Sequence, residues 1–94
     1  MKIDWDDRKN TLNLAKHNIS FELAQHVFDD PFHLSIQDRY ENNEERWQTI
    51  GEIRGIVVIL VAHTSTNTYQ GESIRIISAR KATKKEREYY EKNR

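Results

Sequence analysis

The sequence lacks cysteine and net charge, and each absence excludes a class of protein. None of the 94 residues is cysteine, so the chain has no disulfide framework, no thiolate nucleophile, no cysteine-based zinc site and no sign of an oxidising compartment. Fifteen Lys and Arg balance fifteen Asp and Glu, which argues against a chain-wide electrostatic grip on nucleic acid or membrane. The longest apolar run, residues 56–62, is far shorter than the about 20 residues that span a bilayer. With no apolar signal-peptide stretch at the amino terminus either, we expect a cytoplasmic protein.

The residues that are present suffice for one modest core. Hydrophobic residues make up 36% of the chain and charged residues 32%, a globular but surface-rich composition. A chain of this length forms one domain, and we expect it to cover residues 1–94.

Charge is unevenly placed along the chain. Residues 80–94 hold seven basic and three acidic side chains, whereas residues 1–79 hold eight basic and twelve acidic ones. The basic tail is either a solvated terminal helix or a local anion-binding surface on a protein that is neutral overall.

The hydrophobic pattern predicts an α+β fold with two amino-terminal helices, an antiparallel sheet of about four strands and a carboxyl-terminal helix. The first helix is expected over residues 7–17, capped by Asp4 or Asp6 and ended by a left-handed Asn18. Ser20 caps a second helix that Pro31 ends.

The strands are expected over residues 32–37, 45–53, 56–62 and 72–80, with 38–44 and 64–71 as polar connections. The third of these runs lacks polar alternation and reads as a central strand covered on both faces. Thr83 and Glu86 form a capping box that starts the last helix.

Arg75 is the least expected residue of the predicted sheet. An arginine in an apolar strand needs an anionic partner or a polar cleft, and a salt bridge to Glu45 or Glu52 is the structural alternative. Strand alternation puts Arg75 and Arg80 on opposite faces unless a bulge intervenes.

Few side chains suit proton transfer. His17 ends the first helix, where the negative end of the helix dipole favours its charged form, although a simple helix-end role is equally open. Glu86 serves the capping box first. Of Tyr89 and Tyr90, one must dock the last helix and the other can point its phenol at a substrate. The remaining histidines lack the spacing of metal ligands, so we expect no metal site and no cofactor.

Taken together, the motifs resemble the BrnT family of toxins along almost the whole chain. The amino-terminal half carries Trp-Asp, Lys-His, Ser-Phe and Asp-Pro pairs at residues 5–6, 16–17, 20–21 and 30–31. The carboxyl-terminal half carries Glu45-Arg46, Gly51 and the run Ile77-Ser-Ala-Arg-Lys-Ala-Thr83, followed by Glu86 and Tyr90. The family has glycine after Lys-His where this chain has Asn18, which tolerates the same left-handed turn.

The resemblance implies a RelE-like fold and a ribonuclease toxin of a type II toxin-antitoxin system that inhibits translation by cleaving RNA. The implied partner is a BrnA-type antitoxin with a ribbon-helix-helix DNA-binding dimer, in a heterotetramer that binds operator DNA only through the complex. An acidic antitoxin segment is expected to cover residues 80–94.

RNA cleavage without a metal needs cations on the phosphate, a base and an acid. Arginine matches phosphate geometry, which makes Arg46, Arg75 and Arg80 the phosphate-binding candidates. The base and acid are sought among His17, Glu86 and Tyr90. Further RNA contacts are expected from the lysines of the Lys-His pair and of the basic tail: Lys16, Lys81, Lys84 and Lys85.

Two other interpretations remain open from the sequence. The chain can be a binding module without catalysis that acts through antitoxin contact and operon control. It can also be a structural domain whose arginines are all paired with carboxylates.

Overall fold

A five-stranded mixed sheet with helices on both faces forms the protein. The computed structural model describes residues 1–94. The strands run in the order β1-β5-β4-β3-β2 across the sheet; β1 lies parallel to β5, and all other neighbours are antiparallel. Their bounds are β1 Lys2–Trp5, β2 Leu34–Glu41, β3 Glu44–Ile53, β4 Val57–Thr68 and β5 Gly71–Lys81.

The helices begin and end where local chemistry dictates. Helix α1 (Asp7–His17) starts because the Asp6 carboxylate accepts the amide hydrogens of the first turn, and it ends at Asn18 with φ 58°, as the sequence predicts. The short α2 (Phe21–Ala24) is capped by Ser20 and continues as a 3₁₀ helix over Gln25–Asp29.

Helix α3 (Lys84–Lys92) carries the predicted capping box. The Thr83 hydroxyl accepts the Glu86 amide hydrogen, and the Glu86 carboxylate accepts the Thr83 amide hydrogen.

The sheet has an apolar core on each face. Strand β4 lies between β3 and β5, and its residues alternate between the two cores, which confirms that it is a central strand covered on both sides. The larger core, under α1, α2 and the 3₁₀ helix, includes Phe21, Val27, Ile59 and Val61. We call this side the helical face. The smaller core holds Ile50, Val58 and Tyr90 of α3 on the opposite side.

Gly51 lets the 3₁₀ helix approach the sheet closely. A Cβ atom at this position would lie 2.6 Å from Cγ2 of Val27, far inside van der Waals contact. The position therefore requires glycine for packing rather than for backbone conformation.

The prediction of about four antiparallel strands is wrong in one respect, since β1 adds a fifth strand in parallel pairing. Lys2–Trp5 is too short and too charged to signal a strand. It is held because Ile3 and Trp5 pack on the helical-face core; the Trp5 and Phe21 rings meet edge to face with centroids 6.2 Å apart. Trp5 thus packs beneath the amino-terminal helices.

Both predicted polar connections turn out to be mostly strand. The β2–β3 turn consists of Asn42 and Asn43 with φ 53° and 62°, and β4 extends to Thr68. Two positive φ values at a two-residue turn are typical of a type I′ hairpin. The ends of the β2–β3 and β4–β5 hairpins, which we call the ribbon ends, are polar because they project beyond both cores. Their hydropathy therefore does not identify them as strands.

None of the three α-helices is long and apolar enough to cross a membrane.

Candidate functional site

A bulge in β5 brings Arg75 and Arg80 to the same face of the sheet. Ala62 lies opposite Ser78, but the next residue of β4, His63, lies opposite Ile76. The extra residue, Ile77, shifts the alternation by one. Both arginines therefore lie on the α3 side, which we call the arginine face.

Arg46 and Arg75 share one row across the arginine face. Arg46 lies opposite Thr64 in β3–β4, and Thr64 lies opposite Arg75 in β4–β5. Directly opposite residues project from the same face, so the two arginines are two strands, or about 10 Å, apart at their Cα atoms.

Arg39 extends this row and was not predicted. It lies opposite Arg46 in β2–β3, just after a bulge between Gln37 and Arg39. Sequence reasoning placed residue 39 in a turn, and only the strand register shows that it joins Arg46. Like charges directly opposite each other destabilise a sheet, so the Arg39–Arg46 pair needs an anion nearby.

The carboxylates near this row hold its arginines weakly. Arg75 Nε lies 3.3 Å from Asp4 Oδ1, and the Arg75 side chain is 58% exposed, so the predicted partners Glu45 and Glu52 are not used. Arg39 contacts Glu41 at 2.8 Å, also at an exposed position. Exposed pairs of this kind contribute at most about 1 kcal/mol.

Arg46 is the least satisfied of the arginines. Its side chain is only 20% exposed, its closest carboxylate oxygen, on Glu44, is 3.9 Å away, and its Nε is buried without a hydrogen-bond partner. A buried donor without an acceptor costs about 1–3 kcal/mol.

Arg80, in contrast, is committed to Glu86. Its Nη1 and Nη2 donate to the two carboxylate oxygens of Glu86 at 2.8 and 3.0 Å. These hydrogen bonds, with the Thr83 amide, lower the pKa of Glu86 to about 2, and the same carboxylate raises the pKa of Arg80. Glu86 is thus a poor proton acceptor near neutral pH.

Tyr90 is the tyrosine that docks α3. It is 1% exposed, and its hydroxyl donates to Asp30 Oδ2, which also accepts the Glu52 amide hydrogen. Burial and the hydrogen bond to Asp30 raise the pKa of Tyr90 to about 12. Asp30 therefore ties α3 to the last residues of β3, which extend past the end of β2.

His17 lies at the carboxyl end of α1, apart from the arginine row. It is half-buried, one helical turn, or about 6 Å along the axis, from Asn13. The Asn13 amide donates to the Ala79 carbonyl and accepts the Ala79 amide hydrogen. These hydrogen bonds hold α1 against β5 at Asn13, and His17 itself makes no hydrogen bond there.

The four predicted lysines are all exposed and do not form one cluster. Lys16 is on α1, whereas the others flank the start of α3. Of these, Lys85 lines a groove of about 380 Å³ between α3 and the sheet, and Lys81 lines a different depression.

The groove opens beside Arg80 on the arginine face. Its walls include Ile36 of β2, Gln48 of β3 and Tyr89 of α3. Tyr89 is 47% exposed and Ile36 is 52% exposed, so Tyr89 is the tyrosine left free by the docking of Tyr90. Sequence reasoning missed Ile36 and Gln48, because only the packed helix makes a wall opposite them.

Trp47 and the histidines lie away from the arginine face. Trp47 is half-buried on the helical face and lines a cavity with His63. Burial lowers the pKa of His63, whose ring bonds to Thr49 and meets Phe28 edge to face. No group of three or more His, Cys, Asp or Glu side chains is placed to hold a metal ion.

Comparison with known proteins gives a family match and a structural match. A family model described as the ribonuclease toxin BrnT of type II toxin-antitoxin systems matches residues 5–86. The crystal structure of the Brucella abortus ribonuclease toxin BrnT superposes with a TM-score of 0.69 at 27% identity, over 89% of this chain and 99% of that chain. No curated protein matches the chain.

Proposed function

The chain belongs to the BrnT family of ribonuclease toxins of type II toxin-antitoxin systems, and on that premise we propose that it is a metal-independent endoribonuclease that binds RNA on its arginine face. By cleaving RNA it inhibits translation in the bacterial cytoplasm. A RelE-like relationship of the fold stays a prediction.

The observation that carries this proposal is the arginine row. Arg39, Arg46 and Arg75 are in register across the sheet, and Arg46 Nε is buried without a partner. Each of these arginines has one weakly held carboxylate nearby, on Glu41, Glu44 or Asp4, and a further anion on the row would be attracted by more than one guanidinium. The phosphate of RNA supplies such an anion, and guanidinium groups bind phosphate oxygens in pairs.

The proposed reaction uses the 2′-hydroxyl of the substrate as the nucleophile. Its oxygen attacks the adjacent phosphorus and loses its proton to a base, while the bond to the 5′-oxygen breaks and that oxygen receives a proton. The products are a 2′,3′-cyclic phosphate and a free 5′-hydroxyl. Arg46 and Arg75 stabilise the charge that develops on the phosphorane oxygens.

None of the predicted proton-transfer residues lies beside Arg46 and Arg75, since His17 ends α1 apart from the arginine row, so the proposal assigns neither the base nor the acid. Glu86 is held as a carboxylate by Arg80, and Tyr90 is buried against Asp30. We therefore assign Glu86 and Tyr90 positioning roles, with Arg80 oriented by Glu86 toward the end of the arginine face. Lys85 and the other exposed lysines contribute weaker, salt-dependent contacts to the RNA backbone.

The experiment is cleavage of RNA by the purified chain, freed of antitoxin, in excess EDTA. We expect cleavage with cyclic phosphate ends, and its loss in Arg46→Ala. Arg87→Ala removes an exposed arginine of α3 that makes no ion pair and serves as the matched control. Intact RNA with the wild-type chain, or cleavage that stops on chelation, would contradict the proposal.

The proposed partner is a BrnA-type ribbon-helix-helix antitoxin in a heterotetramer that binds operator DNA through the antitoxin. The support is the charge of residues 80–94, which are exposed along α3 except at Arg80, Ala82, Glu86 and Tyr90. An acidic antitoxin segment on this side predicts an association rate that falls steeply with salt. Equal association rates at low and high salt would overturn that account.

A binding module without catalysis is the second candidate. The observation that favours it is the engagement of Glu86 and Tyr90 in structural contacts. In that case Arg75→Ala and Arg80→Ala would weaken antitoxin binding and leave toxicity in cells unchanged, whereas the ribonuclease proposal expects toxicity to fall.

A further inference from the structure

We propose that the groove between α3 and the sheet is a nucleobase subsite that selects the base next to the cleaved phosphate. The inference rests on the proposed function, because it takes the ligand of the arginine face to be RNA. In this subsite Tyr89 provides the stacking surface and the Gln48 amide reads the edge of the base.

The first support is the position of Gln48. It lies two residues after Arg46 on β3, so both side chains project from the arginine face about 7 Å apart along the strand. This separation is comparable with the length of one nucleotide. If a phosphate of the RNA binds Arg46, the base of an adjoining nucleotide therefore reaches Gln48 when the RNA runs along β3 towards α3.

The second support is the free amide of Gln48. The residue is half-buried, yet no hydrogen bond within the protein engages its side chain. Arg46 Nε is the single buried side-chain atom without a partner, so the Gln48 amide opens into the groove. An amide offers a donor and an acceptor in one plane, which is the pattern that nucleobase edges complement.

The third support is the shape and chemistry of the groove. Its volume of about 380 Å³ falls in the range of small-ligand pockets. Tyr89 and Ile36 present half-exposed apolar surface on opposite walls, and bases of single-stranded RNA stack on aromatic rings. Lys85 and Glu86 line the groove at the start of α3, and Arg80 neutralises the Glu86 carboxylate, so the apolar surface adjoins the cation of Lys85.

This combination favours a nucleotide over an apolar protein segment. An apolar protein segment in the groove would leave the Gln48 amide without a hydrogen-bond partner and would not contact the arginine row. An antitoxin that covers the groove in the complex is compatible with a nucleotide that binds there in the free toxin.

The experiment is titration of the full chain, freed of antitoxin, with each of the four nucleoside 3′-monophosphates and with inorganic phosphate. Chemical shifts of the Gln48 side-chain amide report directly on the groove. We expect one nucleotide to bind about tenfold more tightly than the others and than inorganic phosphate. Gln48→Leu should remove that preference and leave phosphate affinity unchanged.

Tyr89→Ala should weaken all four nucleotides by about tenfold, because stacking is tolerant of base identity, and Tyr89→Phe should restore binding. The matched controls are Gln37→Leu, an exposed glutamine on the helical face, and Tyr69→Ala, the 97% exposed tyrosine of the β4–β5 turn. Both controls should bind like the wild type. Thermal melting of each variant establishes that it is folded.

The outcomes separate this inference from the proposed function. If RNA is cleaved but Gln48→Leu and Tyr89→Ala bind nucleotides and choose cleavage sites as the wild type does, the subsite is wrong and the ribonuclease proposal stands. Base-selective binding at Gln48 without RNA cleavage would support the subsite and overturn the nuclease. Loss of antitoxin affinity alone in these variants would identify a protein interface and overturn the subsite.

Discussion

The two faces of the sheet differ in what surrounds their side chains. The helical face carries the larger core, closed by α1, α2 and the 3₁₀ helix and reaching down to Ile59 and Val61, which are fully buried. On the arginine face Tyr90 docks α3 over the smaller core, and beyond that core lies the arginine row, in which Arg39 and Arg75 are exposed and Arg46 is largely buried. The difference teaches that stability and the proposed activity are carried by opposite sides of the same strands.

The largest expected effect is on activity and comes from Arg46. Replacing it by alanine removes a cation that we expect to contact the developing phosphorane, so kcat/KM for RNA should fall about 10²–10³-fold. The midpoint of urea unfolding should change little, because the lost group includes an unsatisfied donor. If Arg46→Ala instead unfolds at a much lower urea concentration and its folded fraction cleaves RNA normally, the arginine face contributes to stability and not to activity.

The next effect is on stability and comes from Gly51. Gly51→Ala places a methyl group against Val27 and should lower the free energy of unfolding by about 1–3 kcal/mol through overpacking. Adding Val27→Ala relieves the contact, so the double variant should be more stable than the sum of the two changes predicts. If the changes in unfolding free energy of the two single variants simply add in the double variant, the contact between residues 51 and 27 does not limit packing.

Tyr90 tests whether α3 belongs structurally to the covered part of the sheet. Tyr90→Phe removes the hydrogen bond to Asp30 and should cost about 1–2 kcal/mol of unfolding free energy, with cleavage by the folded protein unchanged. Tyr69→Phe, at the exposed β4–β5 turn, is the control. Loss of cleavage at full stability would instead make the Tyr90 hydroxyl part of the chemistry.

The smallest effect is the pH dependence that Glu86 gives to stability. Its pKa is about 2 in the folded protein, below the unfolded value, so its contribution is present above about pH 4.5 and is lost as pH falls towards 2. Glu86→Gln should cost about 1 kcal/mol at pH 7 and flatten the acid limb of stability. An unchanged acid limb in circular dichroism titrations would show that the Arg80 pair does not hold in solution.

The start and end of α1 and the start of α3 were predictable because helix caps are local. Asp6, Asn18 and Thr83 act on backbone groups within four residues, so their chemistry is readable from short stretches of sequence. The central strand was readable for a related reason, since burial on both faces removes polar residues from it.

The ribbon ends and the first strand were not predictable in this way. Lys2–Trp5 is a strand because β5 offers a free edge and the core takes up Ile3 and Trp5, whereas Asp38 and Thr68 lie in exposed ends of strands that extend beyond the cores. Hydropathy has no signal where both faces of a strand are solvated.

The sequence by itself therefore determined the α+β class, the helix caps and the candidate arginines, because each depends on residue type and short spacing. Tertiary structure alone decided which arginines act together. One extra residue in β5 brings Arg75 and Arg80 to one side, and the strand register sets Arg39 beside Arg46. Pairing between strands distant in sequence fixes these relations, and no local pattern records it.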